Sequence, residues 1–98
     1  MNVIYGVGEE MTASTTVDIS EIAVSIFARK PFPVGSTIEL NLATNQSDRW
    51  ITVKGKVLRA EGGVMAVEFV NFPKKEMEEL GDYLRHLQSI GRSELVAV

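Results

Sequence analysis

The chain contains no cysteine among its 98 residues, and it carries a small net charge of −3. The lack of cysteine excludes a disulfide framework and any thiolate metal site, as is usual in the reducing cytoplasm, where we expect this protein to act. No apolar segment approaches the roughly 20 residues that span a bilayer, so we expect no membrane insertion. The basic residues are scattered and fewer than the acidic ones, which argues against binding to a nucleic-acid polymer.

Signatures of catalysis and of cofactor binding are also missing. The single histidine, His86, has no nucleophile nearby in the sequence and is better interpreted as a solvated helix residue. The glycine pair in Tyr5-Gly-Val-Gly8 is not part of either phosphate-binding glycine pattern. The carboxylates show no calcium-loop spacing. We therefore predict one non-enzymatic domain over residues 1–98, without a metal or a cofactor.

Alternating apolar and polar residues predict most of the fold. Between Thr37 and Leu42, every second residue is apolar and would face a core, while Glu39 and Asn41 would face solvent. The same period recurs elsewhere, and two further stretches are plausible strands. The predicted strands cover residues 2–7, 12–18, 22–26, 37–42, 51–57 and 65–69. Short strands with close turns favour a barrel or a sandwich, because an open sheet would leave exposed edges.

Turn-forming residues separate these strands. The segment Pro31-Phe-Pro-Val-Gly35 restricts the backbone and then supplies a permissive glycine. Asn45-Gln-Ser-Asp48 is typical of a polar loop tip. Glu61-Gly-Gly63 is typical of a tight turn that needs left-handed backbone, so it predicts a hairpin between its two flanking strands.

The hydrophobic period changes after Pro73, a residue that suits the first turn of a helix. Apolar residues then recur at spacings of three and four and would form one stripe against the barrel. This stripe comprises Met77, Leu80, Leu84 and Leu87. The spacing predicts a helix from about residue 74 to about residue 90, after a barrel over about residues 2–71.

The position of the helix end is predicted from the order of charged residues along the helix and from the position of a glycine. Acidic residues come early and basic ones, including Arg85 and His86, come late, an order that would complement the helix dipole. Gly91 is a natural residue to end the helix. A short tail over residues 91–98 would follow, and it could pair as a strand, pack on the barrel or bind a partner.

Two polar residues, Asp18 and Ser20, alternate near the end of a predicted strand. Both residue types commonly hydrogen-bond to nearby backbone in turns. Residue chemistry alone favours a role in capping the turn between two strands, and ligand binding is the alternative.

The order of these segments resembles that of PilZ domains between about Thr16 and Leu87. The resemblance implies a six-stranded antiparallel β-barrel closed by a C-terminal helix, and a role in bacterial cyclic di-GMP signalling. It rests on Asp18-Ile-Ser20 before an apolar strand, Pro33-Val-Gly35 before Ile38–Leu42, then Val53–Val57, a glycine turn, Met65–Phe69 and the amphipathic helix.

Members of that family typically bind cyclic di-GMP through an RxxxR segment before the barrel and a [DN]xSxxG motif in the first strands. Here Asp18 and Ser20 match the second motif, Ala23 replaces its glycine, and no arginine or lysine precedes Arg29. Arginine side chains stack on guanine and pair with phosphate, so their absence predicts weak binding.

Two functional interpretations follow from this partial match. The favoured one is an adaptor that binds a protein partner in motility, pilus or envelope regulation, with weak or no nucleotide binding. The alternative is a cyclic di-GMP receptor in which Asp18 and Ser20 read guanine, while Arg29, Lys30 or another subunit supplies the cations. A homo-oligomer is compatible with either interpretation.

Overall fold

The computed structural model describes the backbone of residues 1–43 and 50–97, and the side chains within those ranges up to residue 86. The predicted loop tip Asn45–Asp48 therefore lies outside the described residues. Six strands and one helix follow one another along the chain. They are β1 (Asn2–Val7), β2 (Glu10–Ile19), β3 (Ala23–Phe27), β4 (Thr37–Ala43), β5 (Trp50–Glu61), β6 (Val64–Val70) and α1 (Lys74–Ala97).

The six strands form a closed barrel in the order β1-β2-β3-β6-β5-β4, and every pair is antiparallel. This confirms the predicted barrel with one helix near the C-terminus. Strand alternation places one face of every strand except β2 in the buried core, as in β4, where Ile38, Leu40 and Leu42 are buried and Glu39 is exposed.

Because consecutive strands run in opposite directions, the barrel has two distinct ends. The β1–β2, β3–β4 and β5–β6 connections lie together at what we call the loop end. The β2–β3 and β4–β5 connections and the start of α1 lie at the opposite end, which we call the helix end.

The loop end is covered by residues 28–36, which cross from β3 to β4. The N–H of Ala28 donates to the carbonyl of Gly63, and the N–H of Gly35 donates to the carbonyl of Val57, each at 2.8 Å. Phe32 is partly buried against the core and contacts Tyr5 edge-on, with ring centroids 6.3 Å apart. The connection is therefore tied to the barrel by both backbone and side chains.

The predicted glycine hairpin is confirmed between β5 and β6. Glu61 pairs with Val64, which leaves Gly62 and Gly63 as the two turn residues. Their φ angles are 61° and 78°, a region that residues with a Cβ rarely adopt. The sequence of this turn therefore specifies its backbone.

At the helix end, α1 begins at Lys74, as predicted. Leu80 is fully buried, and Leu84 packs on the core cluster. The predicted apolar stripe is wrong at Met77, which is 40% exposed, and it omits Tyr83, which is buried. The side chain of Leu87 lies outside the described residues.

The predicted helix end at residue 90 is wrong, because α1 continues through Gly91 to Ala97. A glycine inside a helix costs only about 1 kcal/mol relative to alanine, which a helix of this length tolerates. Arg85 and His86 thus lie mid-helix, and the last turn contains no basic residue, so of the predicted dipole complement only the acidic half, Glu76 in the first turn, is present. A strand over residues 91–97 is also excluded. No helix within the described residues is apolar and long enough to cross a membrane.

Candidate functional site

A β-bulge places Asp18 on the outer face of the barrel. Thr16 pairs with the buried Ile26, whereas Asp18 pairs with Ser25, so Val17 is an extra residue in β2. One extra residue reverses the face to which the following side chains point. Asp18 would otherwise share the face of Thr16; instead it lies exposed beside Ser25.

The β2–β3 turn is held by Ser20. Its Oγ accepts hydrogen bonds from the N–H groups of Ile22 at 3.3 Å and of Ala23 at 3.2 Å, and the hydroxyl also contacts the Ala23 carbonyl oxygen at 3.4 Å. Oδ1 of Asp18 accepts a hydrogen bond from the N–H of Ile19 at 2.9 Å. Both side chains therefore hold local backbone, the role that residue chemistry alone favours.

Ala23 begins β3 and pairs with Glu68 of β6. Its φ is negative, since Asn71 is the only non-glycine residue in the described chain with a positive φ. The backbone at Ala23 therefore does not require glycine. The methyl side chain of Ala23 is therefore the feature that would distinguish it from glycine for an approaching ligand.

A groove of about 510 Å³ lies between the end of β2 and α1. Its lining includes Asp18, Ser20, Glu21 and, from α1, Arg85. One terminal nitrogen of Arg85 lies 3.6 Å from Oε1 of Glu21, and the other donates a hydrogen bond to Oδ1 of Asp82. We call this the helix-end groove.

Arg85 is the functional candidate that the sequence analysis missed. Its contact with Glu21 joins residues far apart in the chain, which no periodic pattern reveals. Only the three-residue spacing between Asp82 and Arg85 is a local signal, typical of an ion pair on a helix surface. That spacing does not predict that the pair faces Ser20 and Glu21.

The charges of the helix-end groove are nearly all paired or acidic. Among its described lining residues, the carboxylates of Asp18 and Glu21 outnumber the single guanidinium of Arg85. Asp82 adds a second carboxylate to that guanidinium. The described part of the groove therefore offers no unpaired cationic side chain to an anionic ligand.

Arg29, predicted to join Asp18 and Ser20 in one site, lies at the loop end instead. The whole of β3 separates it from the β2–β3 turn, and about six extended residues span roughly 20 Å. Lys30 follows Arg29 at the same end. Within one molecule, neither cation reaches the helix-end groove.

Two exposed apolar side chains flank the motif. Val17, the bulge residue, is 49% exposed, and Ile22, at the tip of the β2–β3 turn, is 74% exposed. Large exposed apolar side chains are candidates for contact with another macromolecule. The helix end thus presents apolar surface beside a groove whose charges are paired.

Comparisons with known proteins agree with this fold. The Bacillus subtilis inhibitor of motility, MotI/DgrA, is similar over 89% of this chain and 46% of that protein, with a TM-score of 0.73 and 18% identity. The chain thus spans about half of that protein. An uncharacterized Legionella protein is similar over 92% of this chain and 89% of its own, with a TM-score of 0.60 and 15% identity. No curated protein matches the chain significantly.

The family itself is shown by a sequence model. The model described as PilZ domain matches residues 3–86, from β1 to the middle of α1. This match includes Asp18, Ser20 and Ala23, the residues on which the resemblance partly rests. Domains of this kind are regulatory and bind cyclic di-GMP and protein partners. The chain belongs to the PilZ domain family.

Proposed function

We propose that this domain is a non-enzymatic adaptor that acts through a protein partner and binds cyclic di-GMP weakly or not at all. The observation that carries the proposal is the state of Arg85, which has the one cationic side chain among the described lining residues of the helix-end groove. It is already paired with Glu21 and Asp82. A ligand phosphate would have to displace these carboxylates.

The expected loss of nucleotide affinity is large. Hydrogen bonds to charged groups contribute about 1.5–3 kcal/mol each, so losing two arginine contacts to a dianionic ligand weakens binding by roughly two orders of magnitude or more. Asp18 is itself anionic and offers no attraction to phosphate. Ala23 contributes little to this loss, because its backbone is ordinary strand.

The proposed partner surface is formed by Val17 and Ile22 beside the helix-end groove. Burial of exposed apolar side chains on association stabilises a complex. Ile22 exposes 74% of its surface on a turn that Ser20 holds in place, so it is presented without a large entropic cost. We propose regulation of motility, pili or the envelope as the process, a proposal supported by the similar fold of the motility inhibitor.

Partner capture with matched variants tests the adaptor role. The Ile22→Asp variant should lose a partner that the wild-type domain retains from a lysate of its host, because a buried unpaired carboxylate opposes association. Val34→Asp is the control, since Val34 is 65% exposed in the β3–β4 connection at the loop end. Added cyclic di-GMP should leave capture unchanged. A partner that is retained by Ile22→Asp, or that binds only with cyclic di-GMP, would contradict the proposal.

A gain-of-function variant tests the nucleotide half of the proposal. Met1 lines the helix-end groove, so a segment added ahead of it starts at the groove. An Arg-x-x-x-Arg segment there, combined with Ala23→Gly, should create measurable, salt-sensitive affinity for cyclic di-GMP. The same segment with glutamine in place of arginine is the control. Equal binding by both would show that missing cations are not what limits affinity.

A further inference from the structure

A second cavity, of about 580 Å³, lies at the loop end. Its lining includes Tyr5 from β1, Thr12 from β2, and Phe27, Arg29 and Lys30 from the end of β3 and the connection that follows. The whole length of β3 separates it from the helix-end groove. The two sites are therefore independent.

The hydroxyl of Tyr5 is the first unusual feature of this cavity. Tyr5 is 1% exposed, and its hydroxyl is the only buried side-chain polar atom of the described residues that lacks a hydrogen-bond partner. Burial raises the pKa of Tyr5, so the hydroxyl is a protonated donor at neutral pH. The hydroxyl of Ser14, which lines the same cavity, donates to the Phe27 carbonyl at 2.6 Å.

The second feature is a pair of cations without partners. Arg29 and Lys30 are exposed, and neither side chain forms an ion pair within the described part of the chain. Their backbone is fixed directly upstream, where Ala28 is buried and its N–H donates to the Gly63 carbonyl at 2.8 Å. The two charges are thus held at one edge of the cavity.

The third feature is an exposed aromatic ring. Phe27 lines the same cavity and is 52% exposed, although it ends a strand whose inward residues are fully buried. An exposed ring beside two cations and a free donor forms an environment with apolar surface and convergent polar groups, as is typical of small-ligand sites.

We propose that the loop-end cavity binds a small organic anion with a flat apolar body. Its carboxylate or phosphate would pair with Arg29 and Lys30, its ring would lie against Phe27, and an acceptor atom would take the hydrogen bond of the Tyr5 hydroxyl. Arginine and lysine both pair well with such anions, and the aromatic contact adds apolar area. This site lies outside the family motif and does not depend on the proposed function.

Two carboxylates lie close enough to modulate the proposed site. Glu9 and Glu10 line a neighbouring groove of about 410 Å³ together with Lys30. They lower the positive potential that Lys30 contributes to the loop-end cavity. Changing both residues to glutamine should therefore raise the affinity for an anion.

Ligand titrations followed by ¹⁵N NMR test the proposal. Phenyl phosphate and benzoate are the aromatic anions, inorganic phosphate is the anion without a ring, and benzyl alcohol is the ring without a charge. At low salt, both aromatic anions should shift the amides of Phe27, Arg29 and Gly63. Phosphate and benzyl alcohol should need at least about tenfold higher concentrations, since each lacks one of the two contacts. The stronger of the two aromatic anions identifies the charged group.

Matched variants locate the binding site. Arg29→Gln with Lys30→Gln should weaken aromatic-anion binding by at least about tenfold, and Tyr5→Phe should weaken it less. Lys54→Gln with Lys56→Gln removes the same charge from the outer face of β5 and should leave binding unchanged. No shifts up to about 10 mM ligand, or shifts that survive the first double variant, would overturn the proposal.

Discussion

The two ends of the barrel differ in how their polar groups are satisfied. At the helix end, Arg85 lies between two carboxylates, and the hydroxyl of Ser20 holds its own turn. At the loop end, Arg29 and Lys30 make no ion pair within the described residues, and the Tyr5 hydroxyl has no partner. A ligand gains most from groups that the folded protein leaves unpaired. The comparison shows that the unpaired polar side chains lie at the loop end, whereas the family motif lies at the helix end.

The ends also differ in how they are closed. A helix inserts Leu80 into the core at one end, whereas an irregular connection lays the partly buried Phe32 over the other. Most backbone N–H and C=O groups of a helix pair within the helix. Those of an irregular connection must pair with other parts of the chain, as the N–H of Gly35 does with the carbonyl of Val57. The following substitutions separate the contributions of the two ends to the free energy of unfolding.

The largest expected effect is the loss of the helix-end contact. Leu80→Ala should lower the free energy of unfolding by about 2–5 kcal/mol, because Leu80 is fully buried. Met77→Ala, one turn earlier on the same helix, should cost less than about 1 kcal/mol, since Met77 is already 40% exposed. Urea unfolding measures both. Equal losses would mean that α1 does not close the barrel.

At the loop end, removing the Tyr5 hydroxyl should increase the free energy of unfolding, whereas Leu80→Ala decreases it. Tyr5→Phe keeps the ring and removes a buried donor without a partner, so the free energy of unfolding should rise by about 1 kcal/mol. Thermal and urea unfolding check this change in the absence of ligand. A loss of stability would show that the hydroxyl has a partner in solution, which would also weaken the case for a ligand there.

The smallest effect is expected where α1 meets the β2–β3 turn. Gly81→Ala should raise the free energy of unfolding by up to about 1 kcal/mol through helix propensity. The new Cβ would lie 2.9 Å from Oε1 of Glu21, an exposed carboxylate that can move away, so the contact with Arg85 should loosen. Glu21→Gln alone should change stability by less than about 0.5 kcal/mol, because this pair is exposed. A loss above about 1 kcal/mol in Gly81→Ala would show that the turn is rigidly packed on the helix.

Much of the fold could be predicted from local pattern. Alternation located four of the six strands, Gly62 and Gly63 specified a hairpin, and the change of period after Pro73 gave the start of the helix. The inward face of the helix was predicted only in part. Met77 is fully apolar and Tyr83 carries a polar hydroxyl, yet Tyr83 is buried and Met77 is exposed. Periodicity shows which residues along the chain are hydrophobic. It does not show which part of a helix extends beyond the end of the barrel.

The site was harder to predict because its geometry depends on distant contacts. Val17 reads as an ordinary strand residue, and its bulge is visible only in the register with β3. Arg85 reaches Glu21 from another element. Arg29 was grouped with Asp18 as a possible source of the missing cations, but an intervening strand places the two at opposite ends of the barrel.

One measurement tests the central claim most directly: calorimetric titration of the unmodified domain with cyclic di-GMP at low salt, in parallel with Asp18→Ala. The account predicts a Kd above about 10 µM, corresponding to less than about 7 kcal/mol of binding free energy, because the helix-end groove has no unpaired cationic side chain among its described residues. Asp18→Ala should leave that weak affinity nearly unchanged. A sub-micromolar Kd that is abolished by Asp18→Ala would contradict the adaptor and identify a receptor whose cations come from a second subunit.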